Sequence, residues 1–245
     1  MILLFLGVVV PWLGAMRIKE LLARPKLDRA DRLTLYASTI AFQWLAVGVV
    51  AWRANARGLN AEHLGLALPE PELTAATAAA LSLLLLITQL YSLRRLAHLP
   101  PERQGFLHHM ARKVMPQSLV ETLVFIALVC TVAPCEEFLY RGFSFAAIED
   151  ASRGSLLLAA LSSAALFSLA HLYQGRQGLV STFVVGLLFA GARTLTASLG
   201  PSIIAHLVAD LIAGLAAPRL LAGRASPEAV DRAGPLAPPE PGKDS

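Results

Sequence analysis

The chain has 245 residues, of which 56% are hydrophobic and 16% charged, and its formal net charge at pH 7 is +4. Soluble globular domains contain roughly 45–50% apolar and about 25% charged residues. The composition therefore argues against a soluble enzyme, a secreted disulfide scaffold and a disordered regulator, and predicts an all-α fold, a polytopic membrane helix bundle. A membrane-spanning helix requires about 20 apolar residues, so the chain has room for about seven to eight transmembrane helices with short loops.

Seven apolar segments follow one another along the chain. They cover residues 1–16, about 34–52, 73–93, 116–135, 154–173, 178–198 and 201–217. The first segment is marginal in length, so it either spans the membrane or lies at the interface. The fourth and fifth segments are separated by residues 136–153, which are partly polar, and an eighth crossing or a re-entrant piece there would change the topology.

The distribution of Lys and Arg predicts the orientation. Residues 17–33 and 94–115 are rich in Lys and Arg, whereas residues 53–72 contain only Arg53 and Arg57 as fixed positive charges. Because cytoplasmic loops carry the excess of basic residues, the amino terminus is expected outside and, with seven spans, the carboxyl terminus in the cytoplasm. The positive net charge is explained by these loops, so no nucleic-acid partner is expected.

Two adjacent carboxylates follow the fourth apolar segment. On a helix Glu137 and Arg141 are four residues apart on one face, a spacing that suits an ion pair. Glu136 points about 100° away and is left without that partner, so it is free to act as a base. The alternative is an ordinary ion pair at a solvated helix end.

Two further motifs place polar residues in apolar segments. Phe167 and His171 share a helix face in the fifth segment, and His206 and Asp210 share a face in the seventh. The alternatives are a histidine near water at a helix end, and a local His–Asp hydrogen bond that holds helices together.

Ionisable residues at membrane depth are functional candidates by default, and Glu136, His171, His206 and Asp210 come from three different helices. If they converge, two routes to amide hydrolysis are open. Glu136 and His171 could activate water directly, or Glu136, His171 and His206 could bind a divalent metal such as zinc that does so. His206 and Asp210 would then act as ligands or stabilise the developing oxyanion.

The three motifs, in this order, resemble those of the CPBP intramembrane proteases, a group that includes the CAAX prenyl endopeptidases of the Rce1 type and the bacterial Abi proteins. The resemblance implies an endopeptidase with its site inside the membrane. Glu136 and His171 would activate water, His206 and Asp210 would line the oxyanion side, and Glu137 and Arg141 would form a structural pair. It leaves the choice between a metalloprotease and a glutamic protease open.

The resemblance also suggests how the chain is organised and what it acts on. Residues 1–114 would form about three transmembrane helices with basic cytoplasmic loops, residues 115–218 the catalytic helix core, and residues 219–245 a disordered cytoplasmic tail. The expected partners are membrane lipid and a membrane-associated or prenylated peptide or protein substrate. The expected location is the membrane, most simply a bacterial plasma membrane.

One position departs from the resemblance. The eukaryotic CAAX enzymes have Asn at the last motif position, where this chain has Asp210. A carboxylate donates no hydrogen bond unless it is protonated. Asp210 is therefore either neutral, an orienting partner of His206, or a ligand of a cation.

Other functions are compatible with the same residues. A non-catalytic immunity or scaffold protein would use the polar network to fix helix register, and a small transporter would use it as a proton relay. The transporter is disfavoured because the segments do not repeat. Arg193, a further charge within an apolar segment, is expected either to pair with an acidic residue or to extend toward the outer face.

Overall fold

A computed structural model describes residues 1–100 and 103–222, and within these ranges every regular element is helical. The helices, in chain order, are α1 (Ile2–Ala23), α2 (Arg29–Asn55), α3 (Pro71–Ala97), α4 (Gly105–Lys113), α5 (Leu119–Ala151), α6 (Leu156–Ala170), α7 (Gly175–Thr196) and α8 (Gly200–Ala222). Six of these helices are long and apolar enough to cross a membrane: α1, α2, α3, α5, α8, and α7 together with the turn that precedes it. Helix α6 is apolar but shorter. Each of the seven predicted segments thus corresponds to one helix, and the all-α polytopic bundle is confirmed.

The first helix is longer than its apolar segment. It continues past residue 16 through Arg17 and Lys19 and reaches 22 residues, a length that is sufficient to cross a bilayer. At its amino-terminal end Leu6 is buried in a core cluster with Val50 and Leu64. The cluster ties the start of α1 to the loop between α2 and α3.

A buried ion pair joins α2 to α5. Arg32 donates from Nη2 to Glu121 Oε1 at 3.0 Å and from Nε to Oε2 at 3.2 Å, and both side chains are almost fully buried. Nearby, the Tyr36 hydroxyl donates to the Val114 carbonyl at 2.5 Å. Buried pairs contribute little net stability but can fix the register of two elements. In the sequence Arg32 is one of the positive charges of a basic loop, and nothing in the pattern indicates this partner, which is 89 residues away.

Helix α5 is 33 residues long and irregular in its middle. Pro134 lies inside the helix and cannot donate the usual backbone hydrogen bond. A π-helical stretch follows at Phe138–Ser144, where the Ser144 hydroxyl donates to the Leu139 carbonyl at 2.7 Å. Residues 136–151 therefore extend the fourth span and form no separate crossing.

The two basic loops meet at one end of the bundle. Lys113 donates from Nζ to the carbonyls of Leu22 and Arg24 at 2.6 and 2.7 Å, which joins the end of α4 to the end of α1. The carboxyl-terminal part of α8 is at the same end, where Leu221 packs in a cluster with Leu93. The two basic regions that the positive-inside rule grouped together are thus neighbours in space.

The loop between α2 and α3 docks at the opposite end. Leu199 donates its backbone N–H to the Gly65 carbonyl at 2.8 Å, and Arg193 donates from Nη2 to the His63 carbonyl, also at 2.8 Å. Arg193 extends toward the end of the bundle where this loop lies, and the assignment of that end to the outer face stays a prediction. The hydrogen-bond partner of Arg193 there is a backbone carbonyl. An isolated sequence cannot identify such a partner, since every residue has a carbonyl.

The last helix ends at Ala222. Residues 219–222, which sequence analysis assigned to the disordered tail, are therefore helical, and the rest of the predicted tail, residues 223–245, lies outside the described residues.

Candidate active site

The second of the two adjacent carboxylates joins two helices. Glu137 Oε1 accepts a hydrogen bond from Arg141 Nη1 at 3.0 Å and another from His206 Nδ1 at 2.9 Å. Glu137 and Arg141 are both fully buried. The four-residue spacing that predicted the pair within α5 is realised, and the same oxygen also fixes the imidazole of α8.

Arg141 is enclosed by aromatic rings. Its guanidinium carbon lies 4.1 Å from the centre of the Phe167 ring and 5.1 Å from that of Phe189, distances at which a cation is attracted to a ring face. A Cβ atom at Gly186 would lie 3.2 Å from Arg141 Nη2, so glycine allows α7 to approach this charge. These contacts support a structural role for the Glu137–Arg141 pair.

Glu136 projects from another face of α5 and has a different environment. Its Oε1 atom accepts a hydrogen bond from Gln43 Nε2 at 2.9 Å. Its Oε2 atom is buried, has no hydrogen-bond partner among the described residues, and lies 4.0 Å from His206 Nε2. This distance is too long for a direct hydrogen bond, yet short enough for the two atoms to contact one small polar molecule.

Sequence analysis did not identify Gln43. The available signal was an amide side chain in the middle of the second apolar segment. Amides of this kind are also common as contacts between membrane helices, so the sequence alone could not assign its partner, which is 93 residues away.

His206 and Asp210 lie one turn apart on α8, as their spacing predicts. His206 Nε2 is 3.6 Å from Asp210 Oδ2, while Nδ1 faces Glu137. The imidazole is almost fully buried, whereas the Asp210 side chain is 35% exposed. Among the three roles considered for Asp210, this geometry favours orientation of His206, because the carboxylate faces the same ring nitrogen as Glu136.

His171 follows the last residue of α6. It donates from Nδ1 to the Phe167 carbonyl at 2.9 Å, since a carbonyl can only accept, and this leaves Nε2 as the second ring nitrogen. Its ring centre lies 4.6 Å from that of Phe167 and 5.8 Å from that of Tyr173. Phe167 also contacts His206 at 5.7 Å between ring centres, so one phenyl ring borders both imidazoles. The His206 imidazole lies 4.0 Å from Glu136, so it is a neighbour of that carboxylate which the motifs did not pair with it, and the joint action of Glu136 and His171 stays a prediction.

The predicted metal ligands do not form a ready ligand set. In the described part of the chain no group of three or more His, Cys, Asp or Glu residues is arranged to hold a metal ion. The Nδ1 atoms of His171 and His206 each face a protein acceptor, which leaves the two Nε2 atoms as the nitrogens that could bind a ligand. A metal held by Glu136, His171 and His206 stays a prediction.

The arrangement is suited to proton transfer. Glu136 Oε2 and His206 Nε2 face each other inside an apolar bundle, and the hydrogen bonds to Gln43 and Glu137 fix their orientation. A positioned carboxylate with a free oxygen can remove a proton from a bound molecule, and a neighbouring imidazole can donate to developing negative charge.

Comparison with known proteins gives one result. The family model for the type II CAAX prenyl endopeptidase, Rce1-like, matches residues 118–212. No curated protein and no solved structure matched the chain. The matched segment begins just before α5 and includes every residue of the three motifs, whereas Gln43 and Arg32 lie outside it. This family implies a hydrolase that acts on peptide bonds, and the apolar helices indicate an integral membrane protein. Residues 118–212 therefore form an Rce1-like domain of the CPBP/CAAX protease family.

Proposed function

We propose that this protein is an intramembrane endopeptidase that hydrolyses a peptide bond of a membrane-associated or prenylated substrate, with Glu136 as the base that activates water. The observation that supports this proposal most directly is the buried Oε2 atom of Glu136. It has no hydrogen-bond partner among the described residues and lies 4.0 Å from His206 Nε2. An ionisable oxygen that is buried and unpaired is costly, so a ligand in the reaction is a physical reason for it.

The proposed reaction uses one water molecule. As the water oxygen bonds to the carbonyl carbon of the scissile peptide, Glu136 Oε2 accepts the proton that the water loses. The carbonyl oxygen becomes an oxyanion. The C–N bond then breaks as Glu136 returns the proton to the leaving nitrogen, and the products are a carboxylic acid and an amine.

The two histidines have separate roles in this scheme. His206, held at Nδ1 by Glu137, directs Nε2 toward the reacting atoms and, when Nε2 is protonated, donates to the oxyanion. His171, held at Nδ1 by the Phe167 carbonyl, uses Nε2 to contact the attacking water. Asp210, 3.6 Å from His206 Nε2, orients that imidazole and stays outside the bonds that change.

A membrane-associated substrate agrees with the depth of the site. Glu136 lies near the middle of the 33-residue helix α5, and α6, at 15 residues, ends at the position that precedes His171. At about 1.5 Å per residue α6 is shorter than the hydrocarbon core of a bilayer. The scissile bond of a substrate must therefore move into the membrane to reach Glu136 and His171.

The first experiment compares the parent protein with Glu136→Gln and His171→Ala on prenylated and membrane-anchored peptides. Loss of general-base catalysis is worth about 100- to 10,000-fold, so we expect both variants to lose at least about 100-fold in kcat/KM. Asp150→Asn, an exposed carboxylate in the last turns of α5, is the matched control and is expected to cleave as the parent does. Cleavage by both site variants at the parent's rate would remove the catalytic assignment.

The non-catalytic alternative is tested by the effect of a variant. Buried atoms without a hydrogen-bond partner among the described residues occur in the structural pair as well, at Glu137 Oε2 and Arg141 Nη2, so the burial of one oxygen does not separate the two functions. In cells, Glu136→Gln is expected to abolish the phenotype of the parent while the protein level stays unchanged.

A further inference from the structure

The buried face of α2 contains one amide among its packing residues. The buried residues of this helix are Arg32, Leu35, Tyr36, Gln43, Ala46, Val50 and Ala54. Arg32 is paired with Glu121 and the Tyr36 hydroxyl with a backbone carbonyl. Gln43 is 8% exposed, and its side-chain amide donates a hydrogen bond to Glu136. An amide on such a face is costly unless it is paired, so this contact is a reason for a polar residue at position 43.

The Gln43 amide gives the two oxygens of the Glu136 carboxylate different neighbours. Gln43 Nε2 lies 2.9 Å from Glu136 Oε1, which leaves Oε2 facing His206 Nε2. A neutral donor orients the carboxylate without a counter-charge, in contrast to Arg141, which neutralises Glu137. The two adjacent glutamates thus differ in the donors that they face, a cation for one and an amide for the other.

Contacts on both sides fix the position of this amide. Toward the start of α2 the Arg32–Glu121 pair joins the helix to α5. Beyond Gln43, Ala46 and Val50 pack in one cluster with Tyr140 of α5. Gln43 therefore lies between two contacts that hold α2 against α5, the helix that contains Glu136.

From these contacts we infer that Gln43 is a positioning residue for the reaction: its amide fixes the Glu136 carboxylate so that Oε2 faces the attacking water. The inference rests on the proposed function. It also assigns part of the site to α2, outside the family match at residues 118–212, so the amino-terminal helices would take part in catalysis as well as in membrane anchoring.

Gln43→Met is the main test, because methionine is similar in length, unbranched and apolar, but has no N–H donor. Misplacement of a reacting group by about 1 Å can cost about 100-fold. We expect kcat to fall about 10- to 100-fold, with KM within about twofold and the Tm in detergent unchanged. Gln43→Asn retains the donor but is one methylene shorter, and it is expected to lose activity as well.

Two controls separate positioning from packing. Gln89→Met makes the same change in α3 and is expected to leave kcat unchanged. In a Glu136→Gln background, Gln43→Met is expected to have no further effect on the residual rate, because the group that it positions is already lost.

The outcomes distinguish the inference from the proposed function. A parent protein that cleaves none of the peptides overturns the proposed function, and the inference with it. An active parent, an inactive Glu136→Gln variant and a Gln43→Met variant with the parent's kcat overturn the inference alone. So does a Gln43→Met variant whose loss of activity follows a lowered Tm, since the role would then be structural.

Discussion

At the scale of single residues, one oxygen of Glu137 connects the guanidinium of Arg141 with the imidazole of His206. It accepts hydrogen bonds from Arg141 and from His206, so the pair inside α5 also determines the direction of the imidazole on α8. Removing one partner of a buried ion pair leaves a charge without compensation, which costs about 3–5 kcal/mol. Stability and orientation of the site therefore depend on the same atom.

We expect Glu137→Gln to lower the free energy of unfolding by about 3–5 kcal/mol, since Arg141 would lose its counter-charge. Thermal unfolding in detergent measures the change. The double variant Glu137→Gln with Arg141→Met is expected to be more stable than the single Glu137 variant, because the guanidinium that lost its counter-charge is removed as well. A double variant whose loss is the sum of the two single losses would contradict this role of the pair.

A second prediction at this scale concerns the metal. In the proposed reaction the Glu136 carboxylate activates water directly, and a metal held by Glu136, His171 and His206 is the alternative. On the direct route we expect the purified active protein to contain less than one divalent metal per chain and to retain cleavage after treatment with a chelator. Loss of cleavage with the chelator, restored by added zinc and accompanied by stoichiometric zinc in the parent but not in His206→Ala, would favour the metal route.

At the scale of elements, apolar length was sufficient to predict the seven apolar helices, whereas their ends were harder. The short helix α4 was not predicted, because it lies in residues that were assigned to a basic loop. The fourth segment was expected to end at residue 135, but α5 continues to Ala151 because Glu136, Glu137 and Arg141 are buried inside the bundle, where their polarity does not end a helix. The spacing of the motifs predicted the Glu137–Arg141 and His206–Asp210 pairs, which lie within single helices. Contacts between helices that are distant in sequence, such as that of Gln43 with Glu136, depend on how the helices pack. The spacing of residues along one helix gives no information about that packing.

The loop between α2 and α3 offers a test at this scale. Gly65 has a φ of +68°, and a Cβ atom there would lie 2.6 Å from Arg193 Nε. Gly58 has a φ of +73° with no atom within 4 Å of its added Cβ. An L-residue in the left-handed region costs about 1–2 kcal/mol, so both Ala variants are expected to lower the free energy of unfolding. Gly65→Ala is expected to lower it further, because Arg193 must also move, and equal Tm values for the two variants would contradict this docking of the loop.

At the scale of the whole molecule, charge and topology agree on two distinct ends. Lys113 joins the two basic loops at one end, and Gly65 and Arg193 mark the other, which has few fixed positive charges. The first helix starts at the second end, where Leu6 packs against Leu64, and α8 finishes at the first. The start of α1 and the end of α8 thus lie at opposite ends of the bundle. This agrees with seven crossings when the 15-residue helix α6 is counted with the six longer apolar helices.

Because basic loops remain in the cytoplasm, we expect the end that contains Lys113 to face the cytoplasm and the Gly65 loop to face outward. Single cysteines at Arg57 and Arg112, introduced after Cys130 and Cys135 are replaced by Ala, test this with a membrane-impermeant maleimide. Arg57→Cys is expected to react in intact cells, and Arg112→Cys only after the membrane is permeabilised. The reverse pattern would place the carboxyl terminus outside, and labelling of both positions in intact cells would mean that the two loops lie on one side and that the chain does not cross the membrane as these contacts require.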